Sequence, residues 1–227
     1  SALRNLGIQP LLDAIIAYLP SPLEVPPMVG RDPIDEEPVV CEPDVTAPLA
    51  GLIFKITTDP YVGKLSFVRV YSGVLRRGET VLNPVACKTE RVGRLVRMHA
   101  DHREEVEEIR AGDIGAILGF KSAATGQTVS AVDRPVVLEE ISFPAPVIEI
   151  SVTPASTKDQ DKLDAALQRL IEEDPTLHLR KDERTGETTL AGMGELHLDV
   201  VVDRLRREFR VDVEVGAPQV AYCETIT

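Results

Sequence analysis

The run Gly192-Met193-Gly194-Glu195-Leu196-His197-Leu198-Asp199 sets two glycines just ahead of an apolar stripe at helical spacing, so the backbone can turn sharply from strand into helix. The free amides of such a helix start attract anions, and a phosphate could sit there. Glu195 argues the other way, because a carboxylate in the first turn answers the helix dipole itself. Gly192, Met193, Gly194 and Glu195 are therefore read as a capping turn with an interdomain packing role. His197 is read as a surface or interface residue of the helix; no serine or cysteine is placed by sequence to act with it as a nucleophile.

A phosphate-cradling loop needs G-x-x-x-x-G-K-[ST], whereas the one Gly-Lys pair, Gly63-Lys64, is followed by Leu65 and has no upstream partner glycine. There is no N-K-x-D and no Asp three places before a glycine, so hydrolysis of a nucleoside triphosphate by this chain is not expected. The densest basic stretch is Arg91, Arg94, Arg97, His99, His102 and Arg103, with Lys88 upstream. Arginine suits phosphate through its planar two-pronged donors. The competing reading is a solvated strand face balanced by Glu104, Glu105, Glu107 and Glu108. His99 and His102 lack a third ligand, so no metal is expected. Cys41, Cys87 and Cys223 are scattered, odd in number and read as reduced thiols. Arg204, Arg206, Arg207 and Arg210 complement the C-terminal dipole of a helix.

Net charge is −12 over 227 residues, which excludes strong binding to bulk nucleic acid by this chain alone. The distribution softens that: residues 1 to 46 hold 2 basic and 8 acidic side chains, 47 to 143 hold 13 and 12, and 144 to 227 hold 10 and 17. The near-neutral middle can present a local basic face to RNA. No apolar stretch is long enough to span a bilayer and no signal peptide is apparent, so a cytoplasmic protein without a membrane partner is expected.

Ile8, Leu11, Leu12, Ile15, Ile16 and Leu19 predict one short amphipathic helix, ended by Pro20 and Pro22. Six prolines between Pro26 and Pro48, among many acids, predict a linker or mobile surface loop that continues neither helix nor inner strand. From 47 to 143, short apolar segments punctuated by glycine (52–57, 65–71, 80–82, 91–98, 105–109 and 114–120) predict an all-β second domain, with a small closed barrel as the expected product. From 144 to 227 the periodicities read βαββαβ: a strand over 147–153, a helix begun by a Thr157/Gln160 capping box and stopped by Asp174-Pro175, strands near 177–181 and 187–190 around Arg184-Thr185-Gly186, a second helix, and a last strand through Val211, Val213 and Val215. That order is the α+β ferredoxin-like sandwich. Pro144 and Pro146 predict a hinge between the two.

The wording of several of these stretches resembles elongation factor G, a translational GTPase: Gly7-Ile8-Gln9-Pro10-Leu11-Leu12-Asp13, Thr58-Asp59-Pro60-Tyr61-Val62-Gly63-Lys64, Val70-Tyr71-Ser72-Gly73, Met98-His99-Ala100-Asp101-His102, Glu172-Glu173-Asp174-Pro175, the Gly192–Asp199 run and Pro218-Gln219-Val220-Ala221-Tyr222. Ala111-Gly112-Asp113-Ile114 is a turn that other translational GTPases share. The resemblance extends over nearly the whole chain. It implies residues 1–46 as the tail of a GTPase domain with its linker, 47–143 as a second-domain barrel and 144–227 as a ferredoxin-like third domain.

The resemblance further implies that Ser1-Ala2-Leu3 is the last nucleotide motif, which contacts guanine only with the missing GTPase domain. GTP and magnesium belong to the intact parent, and no cofactor is expected in this chain. The parent would couple GTP hydrolysis on the ribosome to movement of tRNA and mRNA; a paralogue acting in ribosome recycling, or a standalone RNA-binding module, remains an alternative. Small-subunit rRNA, a decoding-centre protein and the GTPase domain of the same parent are the implied partners, with the chain otherwise a monomer. Lys64, on a loop facing the GTPase domain or rRNA, joins Lys88, Arg91, Arg94, Arg97, His99, His102 and Arg103 as candidate RNA contacts.

Overall fold

Ile8–Tyr18 forms the predicted helix, α1, entered from Gly7 in the left-handed region at φ 76° and ended at Leu19, where Pro20 forbids continuation. No residue of α1 is buried, and Ile16 is 80% exposed. The computed structural model describes residues 1–59, 63–100, 102–121, 123–139, 141–181 and 187–218. Pro60 to Val62, the predicted turn Arg184 to Gly186, Asp101, Cys223 and the stretch after Pro218 lie outside the described residues.

The chain divides into two compact units. The first comprises Ser1–Ile53, Phe67–Ser122 and Gln127–Glu140; the second comprises Phe54–Ser66, Ala123–Gly126 and Ile141–Thr227.

In the first unit the proline-rich segment carries two strands, β1 (Met28–Arg31) and β2 (Pro38–Cys41), paired antiparallel with Met28 opposite Cys41. The expectation of a bare linker is corrected here. Proline is barred from inner strands, yet Pro38 sits at the first position of a strand in a two-stranded ribbon, where a missing N–H is tolerated. Arg31 N–H donates to Val137 O at 2.9 Å and Val137 N–H to Arg31 O at 2.8 Å. Only glycine fits at position 30, since a Cβ there would lie 2.5 Å from Val136 Cγ2 and 2.8 Å from Val137 O. Buried Cys41, Ala50, Leu52, Val136 and Leu138 pack together beneath the ribbon.

The strands that follow are β3 (Ala50–Asp59), β4 (Gly63–Ser72), β5 (Val74–Arg76), β6 (Thr80–Asn83), β7 (Lys88–Arg91), β8 (Leu95–His99), β9 (His102–Val106), β10 (Glu108–Arg110), β11 (Ile114–Leu118) and β12 (Thr128–Ser130). Eight of them form one sheet in the order β7-β6-β12-β3-β4-β11-β8-β9, and β5 pairs with β10. Two expected segments are broken. The 91–98 segment divides because Val92 N–H bonds Glu79 O at 2.8 Å and Val92 O accepts from Gly78 N–H at 2.8 Å. The 105–109 segment divides where Glu107 O accepts from Arg77 N–H at 2.9 Å, so the chain leaves β8 and takes β5 as its partner. A closed cylinder was expected; among the described residues no ladder joins β7 to β9.

The second unit continues with β13 (Ile148–Pro154), α2 (Gln160–Glu173), β14 (His178–Lys181), β15 (Thr188–Gly192), α3 (Glu195–Arg207) and β16 (Val213–Gly216). Its antiparallel sheet has the order β14-β15-β13-β16. Leu163, Leu167 and Leu170 of α2 and Leu198, Val202 and Leu205 of α3 meet Val152, Leu190 and Val213 of the sheet in one apolar cluster, each fully buried leucine contributing about 2 kcal/mol. Of the expected capping box, the Thr157 side chain lies outside the described residues; a 3-10 turn occupies Thr157–Asp159, the helix is entered from Asp159, and the Gln160 amide reaches forward to Asp164 Oδ1 at 2.9 Å. No helix among the described residues is long and apolar enough to cross a membrane.

Candidate functional site

The turn at 192–195 is built from α2 as well as from its own residues. Asp174 ends α2, and its Oδ1 accepts from Thr176 N–H at 2.9 Å and from the Thr176 hydroxyl at 2.6 Å. Its Oδ2 lies 2.9 Å from His197 Nε2, while His197 Nδ1 accepts the Met193 N–H at 3.1 Å. An amide can only donate, so Nδ1 carries no proton and Nε2 donates to Asp174; the two contacts together fix the tautomer. Burial alone would raise the Asp174 carboxyl, but the bonds from Thr176 and His197 outweigh it and hold the group below its ordinary value. Both ring nitrogens are engaged, so His197 offers no lone pair to a substrate in this geometry.

His197 is the third residue of α3 and reaches back as a capping-box glutamate would. Glu195 was expected to supply the cap; it is exposed, and Gly194 receives no side-chain cap bond. The glycines also act otherwise than expected. Gly194 is extended at φ 167°. Gly192 is needed for space, since a Cβ there would stand 2.8 Å from Leu198 Cδ2 and 3.1 Å from His197 Nδ1. Sequence reasoning missed the pairing of Asp174 with His197; its signal was a helix-stopping Asp-Pro and a histidine at the third position of a helix that lacks a Ser or Asp cap.

Beside this pair, the Glu173 carboxylate, with a side chain 11% exposed, accepts from Thr58 N–H at 2.6 Å and from Arg204 Nη2 at 2.7 Å. Arg204 also binds Glu208, and these bonds, the Glu208 pair foremost, raise its already high pKa. Lys64 Nζ donates to Ala123 O at 2.7 Å and lies 3.3 Å from Glu172 Oε2, with its side chain only 18% exposed. The lysine expected to face RNA is thus largely occupied within the second unit.

Of the other basic side chains, Lys88 and Arg91 lie on β7, Arg94 in the connection after it, Arg97 and His99 on β8, and His102 and Arg103 on β9. The hairpin β8–β9 sets Arg97 opposite Glu104 and His99 opposite His102. Arg94 pairs with Glu105 at 3.4 Å, Arg97 with Asp113 at 3.1 Å, and His99 Nε2 stands 3.5 Å from Glu104. Arg91 Nε donates to Gly78 O at 2.9 Å. Cations and carboxylates therefore interleave on this face. Ser1, Ala2 and Leu3 are exposed, Ala2–Arg4 forming one 3-10 turn, and no group of three or more metal-type ligands occurs among the described residues.

Sequence models of two domains match this chain: elongation factor G domain 2 over residues 48–132 and elongation factor G domain III over residues 143–217. A crystal structure of a protein from Thermus thermophilus is similar, with 30% identity and a TM-score of 0.73 over 94% of this chain. The chain spans 30% of the length of that protein. The ordered pair of matches makes it a portion of a translation elongation factor. It belongs to the elongation factor G family, of which it carries domains 2 and III.

Proposed function

We propose that this chain is the docking and coupling portion of a ribosome-dependent GTPase that moves tRNA and mRNA in the cytoplasm, with GTP and magnesium held by a GTPase domain of the same parent. In this reading the first unit is a translation-factor barrel that docks on small-subunit rRNA, and the second is a ferredoxin-like sandwich that works near a decoding-centre protein. Ser1, Ala2 and Leu3 meet nucleotide only in company with that GTPase domain. The observation that carries the proposal is the consecutive match to two domains of one translation factor on a single chain. Lys88, Arg91 and His102 are exposed basic side chains on the strands in question and are the contacts we favour, since phosphate contacts position such a protein without reading sequence.

Sedimentation of the chain with small ribosomal subunits across a salt series tests this. Binding should weaken as salt rises, and Lys88→Ala and Arg91→Ala should each flatten the salt slope by about one unit. Absence of binding at low salt, or slopes that both variants leave untouched, would refute the docking role. A parallel titration with GTP should show no saturable uptake; turnover by the chain would refute the division of labour.

A further inference from the structure

Within the first unit a cavity of about 380 Å³ is walled by the prolines that precede β1, by Met28 and Cys41 of the ribbon, and by β4. Its lining is apolar apart from Arg69 and, at the rim, exposed Glu139. The Arg69 guanidinium lies 5.1 Å from the centroid of the Tyr71 ring. Its Nε is buried without a hydrogen-bond partner, and no carboxylate pairs with the side chain among the described residues.

Arg69 is half-buried and lines the cavity with no carboxylate among the described residues paired to it, so its charge is open to an acceptor brought in from outside. Stacking on Tyr71 covers a face of the guanidinium, and with Nε closed off it is the terminal edge, the pair of Nη groups, that a carboxylate engages with two parallel bonds. A phosphate dianion fits less well, because Arg69 is the one cation in the lining and Glu139 adds negative charge at the rim. The volume is at the small end of the range for organic ligands, roughly 300–1,000 Å³, and proline rings with Met28 offer an apolar bed. We propose that this cavity binds a small organic monocarboxylate, its carboxylate on Arg69 and its apolar body among Pro26, Pro27, Met28 and Tyr71. Cys41 then lies at the floor, where burial pushes its thiol up and keeps it unreactive.

Two-dimensional NMR of the 227-residue chain, titrated with phenylacetate, phenylacetamide and inorganic phosphate, tests the site. Phenylacetate should shift the amides of Met28, Cys41, Val70 and Gly112 saturably. Phenylacetamide, which lacks the charge, should bind about tenfold more weakly, and phosphate should leave these amides in place. Arg69→Gln should abolish the response while remote amides keep their positions. Should that variant unfold, Val25→Trp, which narrows the mouth and leaves Arg69 intact, should abolish it instead. Equal binding of acid and amide, a phosphate response at the same amides, no response at millimolar phenylacetate, or shifts confined to other regions would each overturn the proposal.

Discussion

Replacing His197 with alanine removes two bonds at once, and their sizes can be set from the geometry. The bond to Asp174 joins a ring N–H to a carboxylate at 2.9 Å. Bonds to charged groups contribute about 1.5–3 kcal/mol, and with the Asp174 side chain 37% exposed we discount this to about 1–2 kcal/mol. The Met193 N–H bond, at an exposed position, adds about 0.5 kcal/mol. His197→Ala should therefore lower the stability of the second unit by about 2 kcal/mol, read from the midpoint of a urea titration at unchanged slope. Asparagine places a carbonyl where Nδ1 stands and should restore only the smaller bond; glutamine places an amide near the Nε2 position and should restore part of the larger.

The acid limb gives a second readout. The folded carboxyl of Asp174 sits below its ordinary value of 3.8, so its contribution is fully present above that pH and fades as pH falls through the lower folded value. The difference between the wild type and Asp174→Asn should be flat above pH 3.8 and shrink in more acid solution. A His197→Ala protein within about 0.5 kcal/mol of the wild type, or a difference that grows in acid, would refute the assignment of this pair as the holder of the turn.

Glu173→Gln should cost about 2–3 kcal/mol, because it leaves Arg204 and the Thr58 amide with a weaker partner in a mostly buried setting; hydrogen exchange at Thr58 should quicken, and an unchanged rate would count against the link. Gly30→Ala forces a methyl against the Val137 carbonyl and should release the β1–β2 ribbon at a cost of about 1–3 kcal/mol, seen as faster exchange at Arg31 and Val137. Gly192→Ala should cost a similar amount, about 1–3 kcal/mol, and Gly192→Ala combined with His197→Ala should cost less than the sum, since the two share a contact. Leu167→Ala, at a fully buried position, should cost about 2–5 kcal/mol by thermal or urea unfolding.

The periodicities placed α1, α2, α3 and the strands of the second unit within a few residues, because burial of one face imposes a period of 3.6 or 2 on the chain locally. Gly192 before α3 answers to space against Leu198 and His197 rather than to backbone freedom, whereas the stop at Asp174-Pro175 was legible because it is a local backbone constraint. What α2 and α3 do for each other was not. Asp174 and His197 are 23 positions apart, and no short-range rule couples a helix stop to the third residue of another helix. Likewise, composition alone made residues 24–48 a linker, since prolines exclude inner strands, while the ribbon β1–β2 exists because a bare glycine edge finds Val136–Leu138 far along the chain. The fate of each cation was decided in the same way. Lys64, Arg94 and Arg97 look alike in sequence as basic residues, and which carboxylate or carbonyl quenches each depends on strand register and on the packing of distant segments. Sequence by itself determined the helices, the strands of the α+β unit and the family they spell; tertiary structure decided the ribbon, the breaks between strands and the partners, because pairing energies act across space and leave no period in the chain.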